Sequence, residues 1–118
     1  MEVIANTIPS GAVGQKASPL AKAFIRELLL GQDAAGYISN CRVIISAKAP
    51  AYSEIAVPVL ILAGEEDKSA PLEGCQKIFN EMKTEKKLEV MKGVGHWHCV
   101  EAFAEVGRLI LEFYHEIQ

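Results

Sequence analysis

An α/β fold is what this sequence predicts, and three observations predict it. The first is the run Ile55-Ala56-Val57-Pro58-Val59-Leu60-Ile61-Leu62-Ala63-Gly64, followed at once by Glu65-Glu66-Asp67. A short apolar stretch rich in Val and Ile and closed by Gly reads as a strand buried on both faces. The second is Leu88-Glu89-Val90-Met91, a second strand that runs into Gly93-Val94-Gly95-His96. The third lies between them. Ser69-Ala70-Pro71 starts a helix whose inner side carries Leu72, Cys75, Ile78, Phe79 and Met82. Strand, crossover helix, strand makes a βαβ unit, right-handed and with parallel strands. In open α/β sheets ligands and reacting groups gather at the carboxyl ends of the strands. Here those ends deliver an acid, Asp67, and a histidine, His96.

The other elements follow in order. Residues 1–17 hold Pro9, Gly11 and Gly14 among small residues with no sustained period, and read as loop. Ser18-Pro19 is a helix-start signal, because Ser caps and Pro tolerates the first turn, where its missing N–H has no partner. Leu20, Phe24, Ile25, Leu28 and Leu29 then share a face, and Gly31 ends the helix. Asp33 caps a second helix with Tyr37, Cys41, Ile44 and Ile45 on one stripe, although Val43-Ile44-Ile45 also fits a short strand. Pro50 stops that element. The polar stretch 83–87 is a solvated turn into the second strand. A last helix begins near Cys99 and carries Val100, Phe103, Val106, Ile110, Phe113, Tyr114 and Ile117 on one stripe. Gly107 inside it costs about 1 kcal/mol relative to Ala, which suggests close packing there.

Composition narrows the function. The 118 residues allow one domain at most, and half of them are hydrophobic, which suits a folded core and not disorder. A net charge of -3 gives no electrostatic reason to expect nucleic acid. No apolar run approaches the roughly 20 residues that span a bilayer, so no membrane association is expected. Met1-Glu2-Val3 lacks the basic start of a secretory signal. Cys41, Cys75 and Cys99 are odd in number and form no CxxC pair. They read as reduced thiols of a cytoplasmic protein.

The segment from Val57 to Pro71, followed by Gly93-Val94-Gly95-His96-Trp97, resembles the C-terminal part of an α/β-hydrolase, and is most similar to oxoadipate enol-lactonase-like esterases. The stretch from Phe24 to Asp33 is similar to the lid helices of that group. The resemblance divides the chain into a lid-like helical segment with its following helix, 1–54, and a C-terminal βαβα portion, 55–118. It implies a serine hydrolase acting on a small ester or lactone, with no cofactor. The family's triad runs nucleophile, acid, histidine along the chain. Matched residue by residue, Asp67 takes the place of the acid and His96 that of the histidine. A carboxylate on one imidazole nitrogen holds the ring in one tautomer and steadies its charged form while the other nitrogen handles protons. Parallel strands about 4.8 Å apart can bring two such loops within reach.

The nucleophile that this pattern requires is missing. No Gly-x-Ser-x-Gly elbow occurs: Ser10 has no Gly two residues before it and no buried strand leading in, and Ser18, Ser39, Ser46, Ser53 and Ser69 fall at helix starts, in helices or in linkers. The oxyanion-hole loop, expected far upstream, is missing too. The chain is therefore expected to be a partial hydrolase, inactive alone. A half-enzyme completed by another chain, and a non-catalytic interaction module, are the alternatives.

Plainer roles compete at each residue. Asp67 could cap the turn into the Pro71 helix, and His96 could bond only backbone. Trp97 packs either at the mouth of a pocket or in the core. His96-Trp97-His98-Cys99 suggests zinc, but only the distant Asp67 or Cys75 could complete the three or four ligands it needs. One deficit concerns the fold itself. The central strand has one confident neighbour, and its other edge would expose unpaired backbone groups. Loose packing or self-association through that edge is expected.

Overall fold

Two parallel strands form the only sheet. β1 (Val59–Gly64) pairs with β2 (Lys86–Met91) in a register that sets Val59 against Lys86 and Gly64 against Met91. The computed structural model describes residues 1–118. Its helices are α1 (Glu2–Gly11), α2 (Pro19–Leu30), α3 (Ala34–Ser46), α4 (Leu72–Glu81), α5 (His98–Glu101) and α6 (Phe103–Glu116), with a 3₁₀ turn at Tyr52–Glu54.

β1 starts four residues later than the apolar run does. Pro58 has no N–H to give to a ladder, so the first pairing bond is Val59 N to Glu85 O at 3.0 Å. Nor is β1 buried on both faces. Only Ala63 and Gly64, at its carboxyl end, are buried, Val59 to Leu62 stay partly exposed, and no strand pairs with its other edge. The run Val43-Ile44-Ile45 does not fill that place. It lies inside α3, and its three side chains are 63–85% exposed.

Two apolar clusters hold the chain together. Met91 and Val94 pack on Val106 and Leu109 of α6, with Leu62 beside them. Ala5 of α1 packs on Ile25 and Leu29 of α2, with Ile4, Ile8, Val13, Trp97 and Val100 around them. The expected loop at 1–17 is thus wrong over its first part. Ile4, Ala5 and Ile8 fall on one side of α1, which docks on α2, and Pro9 lies inside the helix, where it has no N–H to give to the carbonyl of Ala5.

Other expectations shift by part of a turn. α2 begins as its cap predicts, with Ser18 Oγ accepting from Ala21 N at 3.1 Å. Its buried face is Ala21, Ile25 and Leu29, while Leu20 and Phe24 point outward. Gly31 closes α2 at φ -72°, so the left-handed freedom of Gly is not what ends it. Asp33 Oδ1 caps α3 through Gly36 N at 2.8 Å, yet α3 buries no residue. The last helix is two, broken at Ala102, and α6 buries Val106 and Leu109 while Phe103, Ile110 and Tyr114 stay exposed. A Cβ on Gly107 would meet nothing within 4 Å, so close packing is not why Gly stands there. The polar run 83–87 is only partly a turn. Lys86 and Lys87 open β2, and Lys86 Nζ donates to the carbonyls of Phe79 and Met82 at 2.6 Å each, closing the end of α4.

Candidate active site

The loops after β1 and β2 are bound to one another before any side chain is considered. Glu65 N donates to Met91 O at 3.0 Å and Glu66 N to Val94 O at 2.9 Å. Gly64 permits this approach, since a Cβ there would sit 2.5 Å from the carbonyl oxygens of Val94 and Gly95. Two strand ends that would otherwise be 4.8 Å apart are thereby locked in one relation.

Asp67 lies at the centre of that lock, its side chain 5% exposed. Oδ1 accepts from the amides of Ser69 and Ala70, each at 2.8 Å, and so forms the turn into α4. Oδ2 faces His96 Nδ1 at 2.9 Å. The turn-capping and histidine-pairing roles therefore coexist, one oxygen to each. Burial alone would raise the Asp67 pKa. The Ala70 amide, the His96 imidazole and the Ser69 amide outweigh it and hold the carboxyl below its ordinary value. Facing an ionised carboxylate, His96 donates from Nδ1, which leaves Nε2 with a free lone pair. The imidazole is half exposed, and no serine of the chain hydrogen-bonds to it.

His96 and Trp97 form one wall of a cavity of about 550 Å³. The facing wall comes from α1, α2 and α3, through Ile8, Leu28, Leu29, Tyr37 and Ile44, with Gln32 and Asn40 as polar points. Trp97 meets both expectations made for it, since it also packs on the Ala5–Ile25–Leu29 cluster. No cluster of three His, Cys, Asp or Glu side chains converges on a metal-sized point, and His98 Nδ1 is buried without a hydrogen-bond partner.

One residue here has no counterpart in the sequence reading. Glu101 Oε2 accepts from Gly14 N at 2.7 Å and Gly95 N at 2.9 Å, and Oε1 accepts from Trp97 N at 2.9 Å. His96 N in turn donates to Ala12 O at 2.9 Å. All the partners of Glu101 are backbone amides, which leave no mark on a sequence. The one visible hint was a carboxylate four residues beyond Trp97, at the start of an apolar helix.

The fold is that of the C-terminal part of an α/β-hydrolase. Three solved structures carry that statement. The enol-lactonase of Burkholderia xenovorans superposes with a TM-score of 0.83 at 21% identity, over 98% of this chain and 45% of that one. A serine hydrolase involved in carbazole degradation superposes at 0.79 with 16% identity, over 98% and 47%. An enzyme that degrades N-acyl homoserine lactones superposes at 0.62 with 21% identity, over 96% and 52%. The chain thus spans about half the length of the structures it matches. No family model matches the sequence, and neither does any curated protein. No helix is long and apolar enough to cross a membrane.

Proposed function

We propose that this chain carries the acid and base of a serine-hydrolase site for small esters or lactones, Asp67 as the orienting acid and His96 as the general base. The hydroxyl nucleophile and the oxyanion donors come from residues outside this sequence. The observation that carries this reading is the 2.9 Å contact between buried Asp67 Oδ2 and His96 Nδ1, with the carboxylate's other oxygen fixed by two amides. A histidine so held has Nε2 free to accept a proton from an attacking hydroxyl and then return it to a leaving group. The cavity beside it is mainly apolar and lined by no Lys or Arg, which suits an uncharged acyl group or lactone ring. Two of the superposed enzymes, an enol-lactonase and an enzyme that degrades N-acyl homoserine lactones, act on lactones, which supports that part of the substrate class. The three cysteines are free, as in a reducing compartment such as the cytoplasm.

A second reading has its own support. The unpaired edge of β1, and separately the groove edged by exposed Leu20, Phe24 and Phe103, each offer surface to a partner chain, with catalysis no longer involved. One experiment separates the two. Turnover of a p-nitrophenyl ester is measured for the chain alone, and for the chain mixed with a polypeptide that supplies a parallel strand, a Gly-x-Ser-x-Gly elbow and its helix. The hydrolase reading expects no turnover alone, and turnover in the mixture that His96→Ala abolishes. Turnover by the chain alone would overturn it. A complex that forms but stays inert would favour the interaction reading.

A further inference from the structure

We infer that Glu101 is a positioning residue for His96, holding the histidine's backbone while Asp67 holds its ring. This rests on the role proposed for His96. The carboxylate takes the amides on either side of the histidine, Gly95 N and Trp97 N. The histidine's own amide goes to Ala12 O, and Glu101 secures that segment as well through Gly14 N. Three consecutive amides, 95 to 97, are therefore fixed by one side chain, two directly and one through the strand of chain it grips. Asp67 restrains the imidazole through Nδ1, whereas Glu101 restrains the backbone from which the ring projects.

The surroundings leave little slack. A Cβ on Gly95 would lie 2.5 Å from Gly14 N, and one on Gly14 would lie 2.8 Å from Gly95 N. The two backbones touch, and the carboxylate sits where both point their N–H groups. Bonds from amides to an ionised carboxylate are among the stronger in proteins. Removing the acceptor would leave three donors unmatched in a partly buried place. Glu65 provides an internal contrast. Its Oε2 takes Gly93 N at 3.0 Å, in the same loop but two residues before the region that Glu101 holds.

The test reads the histidine itself. Isotope-labelled chain is examined by NMR for amide exchange at Gly14, Gly95 and Trp97, for the ring nitrogen shifts of His96, and for its hydrogen-bonded Nδ1 proton. In Glu101→Ala, exchange at the three amides should accelerate about tenfold or more. The Nδ1 proton signal should broaden or vanish, and the ring should populate both tautomers. In Glu101→Gln, the side-chain oxygen still accepts from Gly14 and Gly95 but the amide end cannot accept from Trp97, so the Nδ1 signal should be partly restored. Glu65→Ala should loosen Gly93 and leave the His96 ring unchanged. An unaltered His96 ring in Glu101→Ala, with the three amides exposed, would reduce Glu101 to a structural clasp and overturn the proposal. So would equal damage from Glu65→Ala. If Glu101→Ala does not fold, Glu101→Gln decides by the same signals. Because no ester is turned over, failure here is distinguishable from failure of the hydrolase reading, which the mixing experiment tests.

Discussion

Asp67 and its neighbours show how far single residues govern this site. Asp67→Asn preserves an oxygen for the amides of Ser69 and Ala70 but turns the His96 partner from acceptor to donor. The imidazole must then carry its proton on Nε2, the wrong nitrogen for a base. Ring nitrogen shifts should report that tautomer, with little change in the surrounding amides. The same carboxyl sets a pH dependence. Its folded pKa is held below the ordinary value, near 3.9 in unfolded chains. Its contribution to stability is therefore complete above that pH and is lost as pH falls through the lower folded value. Urea titrations from pH 5 downward should show the wild type losing stability in that acid range and Asp67→Asn losing less. Gly95 tests packing at the same scale. Gly95→Ala drives a methyl into the backbone at Gly14 and should cost about 1–3 kcal/mol in urea unfolding. The Asp67–His96 pair was legible because both residues follow apolar runs. Glu101 was not, because backbone donors at Gly14, 81 residues before Gly95, cannot be inferred from side-chain patterns.

Each secondary element answers to local chemistry where it has strong signals and to neighbours where it does not. Ser18 and Asp33 cap the helices that their sequence context predicts, and Ser18→Ala should lower stability by about 0.5–2 kcal/mol. Gly107 points the other way. It lies inside α6 facing open space, so Gly107→Ala should raise stability by roughly 0.5–1 kcal/mol, read as a higher thermal midpoint. A decrease would mean that α6 is packed more tightly at that point than its surroundings indicate. The βαβ unit was legible from two apolar runs and the helix between them. Its first strand is shorter than the apolar run because Pro58 withholds the donor that would extend the ladder, although Ile55, Ala56 and Val57 have strand-like side chains. α1 is hidden in the sequence for the converse reason. Pro9 and Gly11 advertise a loop, but packing of Ile4, Ala5 and Ile8 on α2 overrides them. The buried stripes of α2 and α6 lie a fraction of a turn from the apolar stripes of the sequence, since apolar residues occur on both sides of each helix and only tertiary contact chooses which side is buried.

At the scale of the whole molecule, surface is in excess. The chain exposes 7947 Å², where a folded monomer of its mass would expose about 6,300 Å². Its radius of gyration is 15.8 Å, against about 13.5 Å for a compact chain of this length. The surplus is comparable to the area that stable protein complexes remove from water. Exposed apolar side chains on α2, α3 and α6 contribute to it. Sedimentation should accordingly show a mass that rises with concentration, and a monomer with a sharp, concentration-independent thermal transition would contradict the expectation.

The contact between Gly14 and Glu101 joins positions 87 residues apart. Contacts that distant form late, because a long loop must close before they return anything. The βαβ unit can thus be complete while the base is still unset. Trimming the first sixteen residues would keep Asp67 and His96 but remove the Ala12 and Gly14 contacts that set the histidine's backbone, and it would bare Ile25 and Leu29 of α2 at the same stroke.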